Sequence, residues 1–321
     1  MKYFFSCDWG TSSFRLRLVE TVDAKVASTI QTNHGIANIF GSWKQANLPE
    51  EQKIAWYKCY LAEQVEKITS TYSDQLGMPP VVLSGMVSSS IGMLELPYQQ
   101  MPFACNGSGL LVHKIKGGPD LQNDMIIISG VKSDDDVIRG EESMLVGCDL
   151  QTDDTEQLLI FPGTHSKHIK VKNGVAYGIK TFMTGEIFQL ISDKSILANS
   201  ITKDDDRTTN TEEAFAKGVK EGSESNLLNN IFHVRTNQLF KKMNPYENYH
   251  YLSGLLIGYE LQEIANSLPF SITLVCSESF KLPYLQALEQ LALGITIHCI
   301  DADASLVKGQ LKILEHLQHK L

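Results

Sequence analysis

The first segment that could do chemistry lies near the start of the chain. Asp8 ends a short apolar run, and small and hydroxyl residues follow it at Gly10, Thr11, Ser12 and Ser13. A glycine lets the backbone approach a phosphate closely, turn N–H groups and hydroxyls donate to its oxygens, and a carboxylate faces the accompanying Mg²⁺ through water. The alternative is an ordinary hairpin turn in which these side chains satisfy only local hydrogen bonds.

A second loop of the same kind occurs in the other half of the chain. The apolar run 158–161 leads into Gly163, Thr164, His165 and Ser166. Apolar and polar residues alternate after each loop, which predicts a strand, a turn and a second strand in both halves. Such a duplication is what a two-lobed phosphate clamp requires, so the second loop favours phosphate binding at the first.

A third candidate loop follows another buried strand. The strand predicted over 81–83 leads into the small-residue segment 84–92, which contains Gly85, Met86 and Ser88. Ligands of open α/β sheets collect at the carboxyl ends of strands, so these three residues are candidate substrate contacts. The alternative is a tight connection between a strand and a helix.

Carboxylates stand at the start of two predicted helices. Glu141 and Glu142 begin one helix, and Glu186 precedes another predicted over 187–197. The helix dipole stabilises acidic residues in a first turn, which is the alternative to a catalytic role. Since adjacent residues on a helix face different directions, we expect only one of Glu141 and Glu142 to face a substrate.

Two glycines four residues apart, Gly254 and Gly258, lie in a helix predicted over 249–266. They permit the close approach of a neighbouring backbone or of a flat ligand. Ser277 follows a strand predicted over 271–276, and we expect it in an exit loop.

The composition is that of a soluble globular protein, with 321 residues, 43% hydrophobic and 20% charged residues. The net charge of −9 opposes binding to nucleic acid or to an anionic membrane. Apolar stretches are too short to span a bilayer, and no secretion signal is recognisable, so we expect a cytoplasmic location. The six cysteines contain no C-x-x-C spacing, which predicts reduced thiols rather than a zinc site.

The chain contains neither G-x-x-x-x-G-K-[ST] nor G-x-G-x-x-G, which excludes the P-loop and Rossmann phosphate sites. Within a duplicated α/β frame, the remaining way to hold ATP is the arrangement of the actin, hexokinase and Hsp70 class, which the chain resembles. Within that class the sequence resembles the 2-dehydro-3-deoxygalactonokinase family. The resemblance rests on blocks that keep the family's order along almost the whole chain: Asp8–Ser12 with Arg15, Ser84–Val87, Arg139–Glu142, Pro162–His165 with Lys167, Thr184–Glu186 and Leu252–Gly258.

The resemblance implies a two-lobed, duplicated actin-like (ribonuclease H-like) α/β fold with a central nucleotide cleft. The polar composition around residues 151–157 places the hinge between the two domains within 134–156, and we divide the chain into domains 1–138 and 139–321. It implies transfer of the γ-phosphoryl group of ATP, with Mg²⁺, to the terminal 6-hydroxyl of 2-dehydro-3-deoxy-D-galactonate or a close 2-keto-3-deoxy acid. The two glycine and hydroxyl loops would cradle the phosphates, with Asp8 near Mg²⁺. Glu141 or Glu142 would accept the proton of the attacking hydroxyl, with Glu186 in reserve.

A sugar-acid carboxylate also needs a cation. Arg139, Lys167, Arg15 and Arg235 are candidates, and arginine is preferred because its guanidinium binds a carboxylate in bidentate geometry. A surface or structural ion pair is the alternative for each of them.

Two positions depart from the family's pattern. Ser277 lies in Cys276-Ser-Glu-Ser279, where a glycine-containing loop is expected at the adenosine end beside Gly254 and Gly258; Ser88 stands where a second glycine is usual. The alternatives are a kinase or phosphohydrolase of the same fold with another acceptor, and a non-catalytic sensor of a sugar acid or a nucleotide. A homodimer is the expected assembly for a small enzyme.

Overall fold

The computed structural model describes the whole chain except residues 73–75, 151, 153, 204–207, 267, 268, 270 and 319–321. The chain forms two compact units, of which the first comprises Met1–Asp153, Lys172–Ile179 and Ala302–Leu321, and the second Asp154–Val171 and Lys180–Asp301. The division into domains 1–138 and 139–321 stays a prediction. Among the described residues, no helix has the length and apolar character that a membrane span requires.

The strands are β1 (Tyr3–Trp9), β2 (Phe14–Glu20), β3 (Lys25–Thr32), β4 (Val81–Gly85), β5 (Gln99–Gln100), β6 (Phe103–Ala104), β7 (Val112–Ile115), β8 (Met125–Ile128), β9 (Val131–Lys132), β10 (Val137–Ile138), β11 (Gln157–Phe161), β12 (Ser166–Lys172), β13 (Val175–Phe182), β14 (Ser271–Cys276) and β15 (Thr296–Asp301). The helices are α1 (Ile36–Gln45), α2 (Lys53–Thr69), α3 (Glu141–Gly147), α4 (Thr184–Lys194), α5 (Thr209–Glu224), α6 (Leu227–Leu239), α7 (Pro245–Leu261), α8 (Glu278–Gln290) and α9 (Ala302–Gln318).

Five strands of each large sheet share one order, β3-β2-β1-β4-β8 in the first and β13-β12-β11-β14-β15 in the second, and the sixth strand lies at opposite edges. The sheet of the first unit runs β3-β2-β1-β4-β8-β7, and the other runs β15-β14-β11-β12-β13-β6. In each, an antiparallel hairpin (β1 with β2, β11 with β12) is followed by parallel partners of its first strand. The predicted repetition of a strand, a small-residue turn and a strand is therefore confirmed. A third, small sheet runs β10-β9-β5.

The side chains of β1 alternate between two faces of the sheet, one of which packs in the core of the first unit. Phe5, Cys7 and Trp9 are buried in a core that includes Tyr57 and Leu61 of α2. Apolar residues at 54, 57, 61, 65 and 68 recur at helical spacing, which predicts an amphipathic helix over 50–70, and α2 confirms it. Asp8 points to the other face of the strand because successive side chains of a strand alternate.

Helices α5 and α7 of the second unit pack unusually closely. A Cβ atom on Gly254 or Gly258 would lie 2.2 Å from the carbonyl oxygen of Phe215 or Val219, respectively, on α5. Close packing against a neighbouring backbone, one of the two roles considered for these glycines, is what the structure shows at both positions.

Some predicted boundaries are wrong. The exit loop predicted at Ser277 is this single residue, the N-cap of α8, which begins at Glu278 and continues through Pro283. The helix predicted over 187–197 begins at Thr184, so Glu186 lies in its first turn. The helix predicted from 249 begins at Pro245, where the missing N–H of proline costs nothing.

Candidate active site

Asp8 lies at the carboxyl end of β1, beside a glycine that leaves room for its carboxylate. Gly85 ends the parallel neighbour β4, and a Cβ atom there would lie 3.4 Å from Asp8 Oδ1 and 2.9 Å from the carbonyl oxygen of Trp9. Gly140 packs on Gly85, with its own Cβ position 3.6 Å from the Gly85 Cα. Asp8, Gly85 and the turn before α3 therefore meet at one edge of the sheet.

Burial raises the pKa of the Asp8 carboxyl above its ordinary value, and the charges of Arg17 and Arg15 offset part of this rise. Both arginines bind Asp303 at the start of α9, with 2.8 Å between Arg17 Nη2 and Asp303 Oδ1. Arg15, one of the predicted cations, is thus already paired with a carboxylate in the first unit.

The loop after β1 is held by the start of α1. The amide of Ile36 donates to the Gly10 carbonyl at 2.9 Å, and that of Ala37 donates to the Thr11 carbonyl at 3.1 Å. Thr11 and Ser12 are exposed, and Ser13 is partly exposed. The loop thus has a fixed backbone and hydroxyls that a ligand can reach.

Arg139 is the predicted cation with the most ordered surroundings in the first unit. Its Nη1 donates to Ser88 Oγ at 2.6 Å, and its guanidinium lies 4.3 Å from the centre of the Tyr98 ring. Ser88 is fully buried, and its neighbour Met86 is partly exposed. The structure therefore brings Arg139 together with the predicted small-residue loop after β4.

The paired carboxylates at the start of α3 differ in burial, as their adjacent positions predicted. Glu142 is fully buried and accepts hydrogen bonds from the Gly140 amide at 2.7 Å and from Ser143 Oγ at 3.1 Å. Burial first, and the neighbouring Glu141 charge second, raise the pKa of Glu142 to about 7. Glu141 is partly exposed and accepts a hydrogen bond from the Arg139 amide at 2.9 Å.

The phosphate-type loop of the second unit is held by the first turn of α4. A Cβ atom on Gly185 would lie 2.5 Å from the Gly163 carbonyl oxygen, and the Glu186 amide donates to the Thr164 carbonyl at 2.9 Å. The exposed His165 contacts the Glu186 carboxylate, with 2.5 Å between Nε2 and Oε2. Glu186 is therefore next to this loop, while Glu141 and Glu142 belong to the first unit.

Two predicted cations of the second unit have other partners. Lys167 is buried and donates to Thr181 Oγ1 at 2.8 Å. Arg235 on α6 donates to Gln238 Oε1 at 3.1 Å.

A cavity of about 500 Å³ opens beside the Gly163 loop, within the second unit. Its lining is rich in aromatic rings and comes from four helices and the loop: Gly163, Thr184, Gly185, Phe188, Phe215, Tyr249, His250, Ser253, Ile257, Ser279, Phe280, Pro283 and Tyr284. Volume and lining are those of a site for a flat organic ligand. Ser253, Ile257 and Ser279 are chain neighbours or near neighbours of Gly254, Gly258 and Ser277, the residues predicted for an adenosine region.

Sequence reasoning missed the aromatic lining and a buried carboxylate, Glu260, directly behind it. Glu260 is 1% exposed and is bound by Ser166, which ends the loop, and by Tyr284, which lines the cavity. The only feature of the sequence that marks Glu260 is an acidic residue among the apolar residues of α7. This feature does not indicate which residues bind the carboxylate, because they are distant in sequence.

Comparisons with known proteins identify the family of this chain. A family model described as 2-keto-3-deoxy-galactonokinase matches residues 8–313. The chain is 28% identical to a Rhizobium meliloti protein named "Probable 2-dehydro-3-deoxygalactonokinase DgoK1", over 96% of this chain and 95% of that protein. It is 25% identical to the 2-dehydro-3-deoxygalactonokinase of Escherichia coli K12, over 95% of each chain.

A solved structure shows the same fold. The crystal structure of a Sinorhizobium meliloti protein assigned as a 2-dehydro-3-deoxygalactonokinase matches with a TM-score of 0.79 and 26% identity, covering 98% of this chain and 96% of that one. Together with the repeated strand order, it confirms the predicted actin-like α/β fold class. The chain belongs to the 2-keto-3-deoxy-galactonokinase family and is an ATP-dependent sugar-acid kinase.

Proposed function

We propose that the protein transfers the γ-phosphoryl group of ATP to the terminal 6-hydroxyl of 2-dehydro-3-deoxy-D-galactonate or a closely similar 2-keto-3-deoxy acid. One observation carries the proposal: Arg139 and Glu141 lie two residues apart in a turn fixed by Ser88 and Gly85. A guanidinium suits the carboxylate of a sugar acid, and a carboxylate suits the hydroxyl that must lose its proton. Both groups that such an acceptor needs are thus supplied by one turn.

Glu141 is the proposed general base. A base must come within hydrogen-bond reach of the hydroxyl, and partial exposure allows this for Glu141. Glu142 is fully buried against the Gly140 amide, which supports a role in holding the turn. Glu186, the reserve candidate, is already in contact with His165.

Both glycine and hydroxyl loops are proposed to bind the phosphates of ATP, since phosphoryl transfer depends mainly on positioning and charge neutralisation. Asp8 fits a magnesium ion, because it is an oxygen ligand at a strand end, and the neighbouring Gly85 carries no side chain that would crowd its carboxylate. The described residues contain no group of three or more metal-ligating side chains. That suits an ion held by one carboxylate, water and phosphate oxygens, and such an ion would neutralise phosphate charge.

The cavity of the second unit is the proposed adenosine site. Its volume of about 500 Å³ and its aromatic rings suit a purine, and Gly163 belongs both to the cavity wall and to the phosphate loop. A nucleotide seated there would direct its phosphates along the loop. With ATP as co-substrate, we propose a cytoplasmic location.

An acceptor panel with an ADP-release readout tests this function. We expect activity with 2-dehydro-3-deoxy-D-galactonate and its epimer to exceed that with sugars lacking a carboxylate. Arg139→Lys should raise the KM of the sugar acid about tenfold, the equivalent of one bidentate contact, and leave the KM of ATP unchanged. Arg235→Lys is the matched control, since Arg235 also donates to neutral side chains in the structure.

Other outcomes would contradict the proposal. Turnover of a neutral or phosphorylated acceptor in preference to sugar acids would indicate another kinase or phosphohydrolase of this fold. Nucleotide binding without acceptor-dependent ADP release from any sugar acid would indicate a sensor.

A further inference from the structure

A buried carboxylate stands at the junction of the elements that form the cavity of the second unit. Glu260, in the last turn of α7, is 1% exposed and is not part of the site residues proposed above. Four side chains contact it: Ser166 Oγ at 2.7 Å, His168 Nε2 at 2.9 Å, Tyr284 OH at 2.8 Å, and the Thr184 hydroxyl.

Each of these partners comes from an element that borders the ligand region. Ser166 and His168 begin β12, directly after the glycine and hydroxyl loop. Thr184 begins α4 and Tyr284 lies on α8, and both line the cavity. The helix that carries Glu260 supplies further wall residues through its preceding turns. One carboxylate thus joins the loop to three helices around the same space.

The electrostatics favour an ionised Glu260. Burial alone raises the pKa of a carboxyl, but the hydrogen bond and the charge of His168, with the Thr184 and Ser166 hydroxyls, hold the pKa of Glu260 below its ordinary value. An ionised carboxylate only accepts hydrogen bonds, so every partner is oriented with its proton toward Glu260. The oxygen lone pairs of Tyr284 and Thr184 are thereby directed away from it.

We propose that Glu260 is a positioning residue for the nucleotide. It fixes Thr184 and Tyr284 in the cavity wall and Ser166 at the end of the phosphate loop. The side chains that face the adenosine and the phosphates are therefore already oriented before the nucleotide binds. This inference rests on the proposed assignment of the cavity to adenosine. It predicts that removal of the carboxylate weakens nucleotide binding and leaves sugar-acid binding unchanged, because the groups proposed for the acid lie in the first unit.

The test compares Glu260→Gln and Tyr284→Phe, singly and together, with the wild type. Tyr251→Phe is the matched control, because Tyr251 is also a buried tyrosine that donates to a glutamate, Glu221, at 2.5 Å, and it does not line the cavity. The readouts are the Kd of ADP by calorimetry, the KM of ATP, the KM of the sugar acid, and the melting temperature.

We expect each single variant at Glu260 and Tyr284 to raise the Kd of ADP and the KM of ATP about tenfold, as for loss of one charge-assisted hydrogen bond. The KM of the sugar acid should not change. The double variant should bind ADP no more weakly than Glu260→Gln alone, since the Glu260 carboxylate acts on the nucleotide through the hydroxyl that Tyr284→Phe removes. Tyr251→Phe should lower the melting temperature and leave the Kd of ADP within about twofold of the wild type.

Where Glu260→Gln does not fold, Thr184 provides the same comparison. Thr184→Val removes the donor to Glu260 and should weaken ADP binding, whereas Thr184→Ser keeps the hydroxyl and should restore it. Equal ADP affinity in Glu260→Gln and wild type, or in Thr184→Val and wild type, would overturn the inference, as would additive effects in the double variant.

The design separates this inference from the proposed function. A wild type that binds ADP but phosphorylates no sugar acid contradicts only the proposed function, and the effects on ADP affinity still test Glu260. A wild type that binds no nucleotide overturns both.

Discussion

Replacement of Glu142 by glutamine should change how the stability of the protein depends on pH. The Glu142 carboxyl is fully buried, its hydrogen-bond donors are the Gly140 amide and Ser143, and its pKa is raised from 4.5 to about 7 by burial and by Glu141. A proton is thus held more tightly in the folded protein than in the unfolded chain. Between these pH values the folded state keeps a proton that the unfolded state has released, so stability falls as pH rises.

The size of the effect follows from the shift. A rise from 4.5 to about 7 corresponds, at about 1.36 kcal/mol per pKa unit, to about 3 kcal/mol of unfolding free energy. This contribution is complete below pH 4.5 and is lost by the time the pH exceeds 7. Glutamine has nearly the same shape and does not ionise. As the pH rises from 4 to 8, the free energy of unfolding of the wild type should therefore fall by about 3 kcal/mol relative to that of Glu142→Gln.

Urea unfolding of both proteins at half-unit steps from pH 4 to pH 8.5 measures this difference directly. Subtracting one curve from the other removes the titrations that the two proteins share. Glu260→Gln is the control, since the lowered pKa of Glu260 gives stability that is lost only below pH 4.5, and the difference between wild type and this variant should stay constant from pH 5 to pH 8. Parallel wild-type and Glu142→Gln curves across the whole range would refute the reasoning.

Two further predictions concern packing and catalysis. Gly254→Ala should destabilise the protein by about 3 kcal/mol in urea unfolding, because its Cβ would meet the Phe215 carbonyl oxygen at 2.2 Å. Gly41→Ala, in a helix with nothing within 4 Å, should instead stabilise by up to about 1 kcal/mol, and equal effects would contradict the packing argument. Glu141→Gln should lower kcat by about 10²- to 10⁴-fold in the ADP-release assay with the KM of ATP unchanged, and near wild-type turnover would exclude Glu141 as the base.

The hairpins of both units could be predicted because the residues that determine them are close together in the sequence. Alternating apolar residues on either side of a small-residue turn define two antiparallel strands, and both β1–β2 and β11–β12 formed as expected. The helix α8 was missed because its serine-rich start and Pro283 are typical of loops. Its buried face, which includes Tyr284 and Leu288, was the signal that could have revealed it.

The chemistry of the sites was less predictable than their loops. Residue types indicated carboxylates near a turn, but only the structure shows that Glu142 is buried while Glu141 is not. Glu260 could not be found from the sequence, because its partners lie up to 94 residues away and no spacing rule connects them. Lys167 illustrates the reverse case: a plausible ligand-binding cation by type and place is buried against Thr181.

Helix α9 completes the first unit from the far end of the chain. Its Gln310 Nε2 donates to the Cys7 carbonyl at 3.0 Å and to Ser84 Oγ at 2.8 Å, and so joins β1 to β4. A Cβ atom on Gly309 would lie 1.8 Å from the Ser143 carbonyl oxygen of α3. The contact between Gln310 and Ser84 spans 226 positions, and a ribosome adding about 5–20 residues per second needs tens of seconds to cover that length. During translation β1 and β4 therefore lack the hydrogen bonds of Gln310 until α9 has been synthesised.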